Sequence, residues 1–192
     1  MRALLTIVSL ALVLCSTISC QDKAAMAELE AFRAQAKDME DNRATANRFM
    51  DEIGNRGDLS AIDEMIDEKF VNHSPVPGIS SDRAGFRTFT KQIHEGFSDI
   101  NYVTNDLIAE GDKVVIRGTF NSRNTGGFMG APATGSEVTM TFAVTLRIKD
   151  GKIIERWGNA DELGLNMQLG MELKPAEQRL SAITPPPPLP AK

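Results

Sequence analysis

From Glu137 to Lys149 the chain alternates without a break. Met140, Phe142, Val144, Leu146 and Ile148 share one parity, and Thr139, Thr141, Ala143, Thr145 and Arg147 share the other. A period of two predicts a strand with one face in a core and one face in water. Asp150-Gly151 supplies a hairpin turn into a further strand that carries Trp157. Upstream, Asn101 to Ala109, the turn Glu110-Gly111-Asp112, and Lys113 to Ser122 read as two more strands, and Lys69 to His73 as a short one that Ser74-Pro75 interrupts.

The first part of the chain has the other period. Ala46, Phe49, Met50 and Ile53 recur at helical spacing, and Gly54 and Gly57 stop that helix. Asp58 suits the cap of a second helix carrying Leu59, Ile62, Met65 and Ile66. Ser81 or Asp82 starts a third, with Phe86, Phe89 and Ile93 inward, while His94 sits among Lys91, Gln92 and Glu95 on a solvated side. Helices first and antiparallel strands after predict an α+β domain, with N-terminal helices packed on one face of a curved antiparallel sheet.

The two ends read differently. Met1-Arg2 and the apolar run Ala3 to Leu14 make a targeting segment too short to span a bilayer. Thr17-Ile18-Ser19-Cys20 looks like the cleavage box of bacterial lipoproteins, so residues 1–19 read as a signal peptide and Cys20 as the lipidated residue. An ordinary secretory signal cut near Ser19 is the alternative. Either way the expected address is the cell envelope, facing the periplasm or the exterior. Residues 20–37 have helix-forming composition and read as a tether, residues 38–172 as the folded domain, and residues 173–192 as a Pro-rich tail.

Composition narrows the chemistry. The chain has 192 residues, a net charge of −5, two His and two Cys. Its Lys and Arg are scattered, so no nucleic-acid footprint is expected. Both Cys, at 15 and 20, lie in the targeting segment, which argues against a disulfide framework or a Cys/His metal site.

Five segments, in this order, carry a resemblance. They are Phe70 to Pro75, Gly96 to Ile100, Glu110 to Arg117, Gly126 to Gly130, and Gly151 to Gly170, the last reading GKIIERWGNADELGLNMQLG. Together the chain resembles the SnoaL-like polyketide and ester cyclases, which are similar to the wider group folded like nuclear transport factor 2. The resemblance implies a cone-like pocket between helices and sheet. It also implies cofactor-free acid–base chemistry on a carbon next to a carbonyl, since the carbonyls delocalise the carbanion.

In that resemblance Asp161, before Gln168-Leu169-Gly170, is the general acid and base, and His73 assists it. Strand parity sets Ile153, Glu155, Trp157, Asn159 and Asp161 on one face, so Asp161, Trp157 and His73 are expected to border one cavity. Asp161 equally suits the cap of a helix from Glu162 to Leu169. Trp157, Asn124, Arg117, Phe97 and Gln168 are the further pocket candidates. Arg117 and Arg147 alternatively pair with Glu155 or Glu137 across the sheet. The resembling cyclases usually carry His where Asn124 stands, and Asn does not exchange a proton at neutral pH. The expected ligand is small and apolar or carbonyl-containing, with no metal or organic cofactor. The competing class is a non-catalytic module that binds such a ligand. The Thr-rich strand face suits subunit pairing, so a homo-oligomer is expected.

Overall fold

The computed structural model describes the backbone of residues 2–172 and the side chains of residues 23–172. The lipidation reading at Cys20 and the Pro-rich tail at 173–192 lie outside those described side chains. Among the described residues, no helix is long and apolar enough to cross a membrane.

Helix α1, Arg2–Arg48, runs straight into seven residues of wider π-helix, Phe49–Asn55, which bury Phe49, Met50 and Ile53. The reading of a tether followed by an amphipathic helix therefore becomes one continuous helix with a π-helical end. Gly57 follows at φ 65°, a left-handed conformation that glycine adopts without steric cost. Helix α2, Leu59–Met65, starts at Asp58, whose carboxylate accepts from the amides of Ser60 and Ala61. Helix α3, Arg83–Gly96, starts at Asp82, which accepts from the Gly85 amide. Both caps satisfy N–H groups that a helix start leaves without partners.

Five strands follow in the order β1-β5-β4-β3-β2 across one sheet. They are β1 Ile66–Asn72, β2 Phe97–Glu110, β3 Lys113–Asn124, β4 Glu137–Lys149 and β5 Lys152–Ala160. The sheet is mixed rather than wholly antiparallel, because β1 pairs parallel with β5 while every other pair is antiparallel. Helix α4, Glu162–Gln168, closes the domain.

The inner sheet face and the helices share two apolar clusters. The larger joins Phe49, Ile53, Ile62 and Phe86 to Val114, Ile116, Leu146 and Ile153. The smaller joins Ile93, Phe97, Phe120 and Phe128 to Leu165 and Leu169 of α4. Each such side chain contributes about 1.5–3 kcal/mol by leaving water. Register shifts interrupt the β2–β3 ladder between Ser98 and Asn101 and between Thr104 and Asp106. Such irregularities bend and twist a strand, and the curved sheet leaves room under the helices.

Candidate functional site

That room is a cavity of about 150 Å³. The π-helical end supplies Phe49, Met50, Ile53 and Gly54 to its wall, and α3 supplies Phe86, Phe89, Thr90 and Ile93. The sheet supplies Tyr102, Met140, Phe142 and Val144, and α4 adds Leu165. A mostly apolar concavity with a few polar groups is the usual form of a small-ligand site.

Its polar lining includes Asn72, His94, Tyr102 and Arg156. Asn72 is buried at the end of β1, and its side-chain oxygen accepts from Arg156 Nη1 at 3.2 Å and from the Ser74 amide at 3.2 Å. The Arg156 guanidinium lies 5.5 Å from the Phe86 ring centre. Burial pushes its pKa down to about 10, so it remains charged at neutral pH. Burial pushes the Tyr102 hydroxyl up to about 12, with the positive charge of Arg156 acting the other way. The phenol therefore stays protonated and can donate.

His94 is not the solvated residue expected from its charged neighbours. Its Nε2 is 3.0 Å from the Gly54 carbonyl, and the ring lies flat over Gly57, where a side chain's Cβ would come within 2.7 Å of it. Nε2 is the donor in that bond, because a carbonyl oxygen only accepts.

The expected meeting of Asp161, Trp157 and His73 at one cavity does not occur. The reason is a bulge in β5. Ile148 pairs with Ile153, but the next residue back, Arg147, pairs with Glu155. Ile154 is thus one extra residue, and one extra residue exchanges the faces of everything beyond it. Arg156, Gly158 and Ala160 line the cavity instead, joined at the strand's end by Asn159. Glu155 and Trp157 turn outward with Arg147.

There they form a cluster of their own. His73 stacks on Trp157 with ring centres 4.5 Å apart and planes 4° from parallel. Glu155 lies 2.9 Å from His73 Nε2 and accepts from Arg147 Nη1 at 2.6 Å. Partial burial disfavours its charge, but the bonds from His73 and Arg147 outweigh this and hold its pKa below the ordinary value. The expected Arg147–Glu155 pairing is therefore present. Asp161 is exposed and caps α4, its Oδ1 accepting from the Gly164 amide at 2.9 Å.

The sequence profile of the SnoaL-like polyketide cyclases matches residues 44–169. The chain belongs to this family. Among similar solved structures is IdmH from Streptomyces antibioticus, a candidate polyketide cyclase. It is 30% identical, with a TM-score of 0.59 over 68% of this chain and 99% of that one. AclR from Streptomyces galilaeus, a candidate hydroxylase, is 29% identical, with a TM-score of 0.62 over 69% of this chain and 97% of that one. TsrD from Streptomyces laurentii is 29% identical, with a TM-score of 0.59 over 67% of this chain and 96% of that one. A search of curated protein sequences finds no match.

Within this SnoaL-like fold the remaining candidates hold structure rather than line the cavity. Arg117 has the outward parity of β3 and pairs with Asp106, its Nε donating at 2.7 Å. Phe97 is edge-on to Phe120 and Phe128 in the smaller cluster. Gln168 ties α4 to β4, accepting from the Thr139 amide at 2.9 Å and donating to the Thr139 carbonyl at 2.8 Å. Asn124 is 1% exposed and anchors the Gly-rich loop. Its Nδ2 donates to the carbonyls of Gly96 at 3.0 Å and Gly126 at 2.9 Å. Its Oδ1 accepts from the Thr134 amide at 2.8 Å and hydroxyl at 3.0 Å.

Sequence reasoning missed Arg156, Tyr102, Asn72 and the true place of His94. One signal was available. A glycine inside a strand often marks a close approach. At Gly158 a Cβ would come within 2.6–2.9 Å of the Arg156 guanidinium. The glycine makes room for the charge to fold over the cavity wall.

Proposed function

We propose that this SnoaL-like protein binds a small, largely apolar, carbonyl-bearing molecule in the cavity between its helices and sheet. The observation that supports this best is the cavity itself. Its walls are aromatic and aliphatic, and its polar groups converge from β1, β2, β5 and α3. The Tyr102 phenol and the Arg156 guanidinium are both donors, and a ligand carbonyl is an acceptor. Calorimetric titration with a 1,3-diketone such as benzoylacetone tests the reading. Wild type binds. Thr90→Met, which extends a flexible side chain from a cavity-lining position, weakens binding by roughly tenfold while the circular dichroism spectrum stays that of folded protein. Equal affinity in the two would remove the cavity as the site.

A second reading is a cofactor-free cyclase or isomerase with Asp161 as acid and base. It is supported by family membership and by the place of Asp161 in the chain, between the cavity-lining Ala160 and Glu162. The bond to the Gly164 amide is its one side-chain hydrogen bond among the described residues. In this reading Asp161→Asn lowers proton–deuterium exchange at the activated carbon of the diketone by ~10²–10⁴-fold. Equal exchange in variant and wild type would remove Asp161 as the base.

Our proposal extends to address and assembly. Thr17 to Cys20 supports a lipid anchor at Cys20 and a domain outside the cytoplasm. Cys20→Ser then moves the protein out of the membrane fraction, and a wild type already free of membranes contradicts the anchor. The outward sheet face, with Val71, Val103, Ile108 and Val115 exposed, supports a homo-oligomer. Sedimentation showing a monomer at every concentration would contradict it.

A further inference from the structure

Arg156 is an uncommon residue to find in such a wall. It folds over Gly158 into an apolar cavity, with the Phe86 ring beneath it. Among the described residues its guanidinium makes a single hydrogen bond, from Nη1 to Asn72. Its Nε is closed to solvent and has no hydrogen-bond partner. Among the described residues no carboxylate comes within ion-pair distance of it. The Arg residues that do form ion pairs find them at the surface or on the outer face of the sheet, as Arg117 does with Asp106 and Arg147 with Glu155. The sole carboxylate on the cavity wall, Glu162, is exposed at the first position of α4 and does not pair with it.

A charge drawn out of water without a counter-charge is costly, and proteins usually pair it. The neighbouring polar groups do not help. Tyr102 is held protonated by burial and is neutral, and Asn72 is neutral by nature. A low-dielectric wall strengthens whatever opposite charge enters.

We infer that Arg156 is an anion subsite, and that the ligand of this cavity is a small hydrophobic monoanion whose negative oxygen, a carboxylate, sits against the guanidinium. The inference rests on the cavity being the ligand site. It adds the charge and the headgroup. One guanidinium with no Lys and no second Arg among the cavity's lining residues favours one negative charge rather than a phosphate dianion. Its planar fork of N–H donors matches a carboxylate. A cavity of about 150 Å³ holds a body of the size of one aromatic ring. Gly158 is part of the subsite, because its missing side chain is where the guanidinium lies.

Benzoate and its neutral isostere benzamide separate the claims. In calorimetric titration of the full chain at neutral pH, benzoate binds at least tenfold more tightly than benzamide. Arg156→Gln abolishes that preference, because benzoate loses far more affinity than benzamide does. Gly158→Ala, which displaces the guanidinium, reduces the preference. Without ligand, Arg156→Met melts at or above the wild-type temperature, because it removes an uncompensated charge. A structural arginine would show a marked fall instead. Equal binding of the two probes, or a preference that survives Arg156→Gln, overturns the anion subsite and leaves the cavity standing. Binding of neither probe overturns both. A marked fall in melting temperature for Arg156→Met also overturns the subsite.

Discussion

Asn124 is the position where this chain departs from the His of the resembling cyclases, and the structure gives it a measurable job. Asn124→Ala removes four hydrogen bonds, two to carbonyls and two from Thr134. A net bond contributes about 0.5–1.5 kcal/mol. The Gly96 carbonyl keeps the amides of Thr125 at 3.1 Å and Gly126 at 3.0 Å, so its share of the loss is small. The remaining three bonds come to about 3 kcal/mol. For a domain of this size that is a fall of roughly 10 °C in melting temperature. Asn124→Asp is a sharper test, since it keeps the shape. A carboxylate cannot donate, so it would face the Gly96 and Gly126 carbonyls with like partial charge in a buried place. The expected cost is about 3–5 kcal/mol. Differential scanning fluorimetry and urea unfolding measure both variants. Melting temperatures within about 2 °C of wild type for both would refute the loop-anchor account and reopen a cavity role for Asn124.

Two further outcomes follow from the caps. Asp161→Ala loses the bond to Gly164 and costs about 1 kcal/mol, whereas Asp161→Asn retains most of it; in the binding account neither changes benzoate affinity, and a large affinity loss in either would contradict it. For Asp58, the Ser60 hydroxyl and amide hold the carboxyl below its ordinary pKa, and for Asp82 the Ser80 hydroxyl and Gly85 amide do so. Depressed folded-state values mean stability that is present above the unfolded pKa, near ~4, and lost as pH falls through the folded values. Urea midpoints should therefore drop on acidification, and less steeply in the Asp58→Asn/Asp82→Asn double variant. Identical slopes would show that these caps carry no linkage.

The sequence made the fold legible wherever local pattern and tertiary packing agreed. The alternation of Glu137 to Lys149 is β4 as read, because one face meets the helices and the other meets water. Asp58 and Asp82 cap helices as their chemistry suggests. The site was less legible, and for one main reason. Parity along β5 holds only while the ladder is regular, and nothing in Ile153-Ile154-Glu155 announces the extra residue. Past Ile154 the faces exchange, so Trp157 leaves the cavity and Arg156 enters it. His94 was misplaced for a related reason. Its sequence neighbours are charged, but its partners, Gly54 in the π-helical end and Gly57 just after it, come from about 40 residues earlier.

The central claim is that ligand enters the cavity between helices and sheet, and not the outward cluster of His73, Trp157 and Glu155. An amide-resolved NMR titration of the labelled chain with benzoate tests it most directly. The account predicts shifts at Thr90, Phe142, Val144 and Gly158, with the Trp157 indole signal unmoved. Shifts confined to Val71, His73, the Trp157 indole and Asp161 would contradict it.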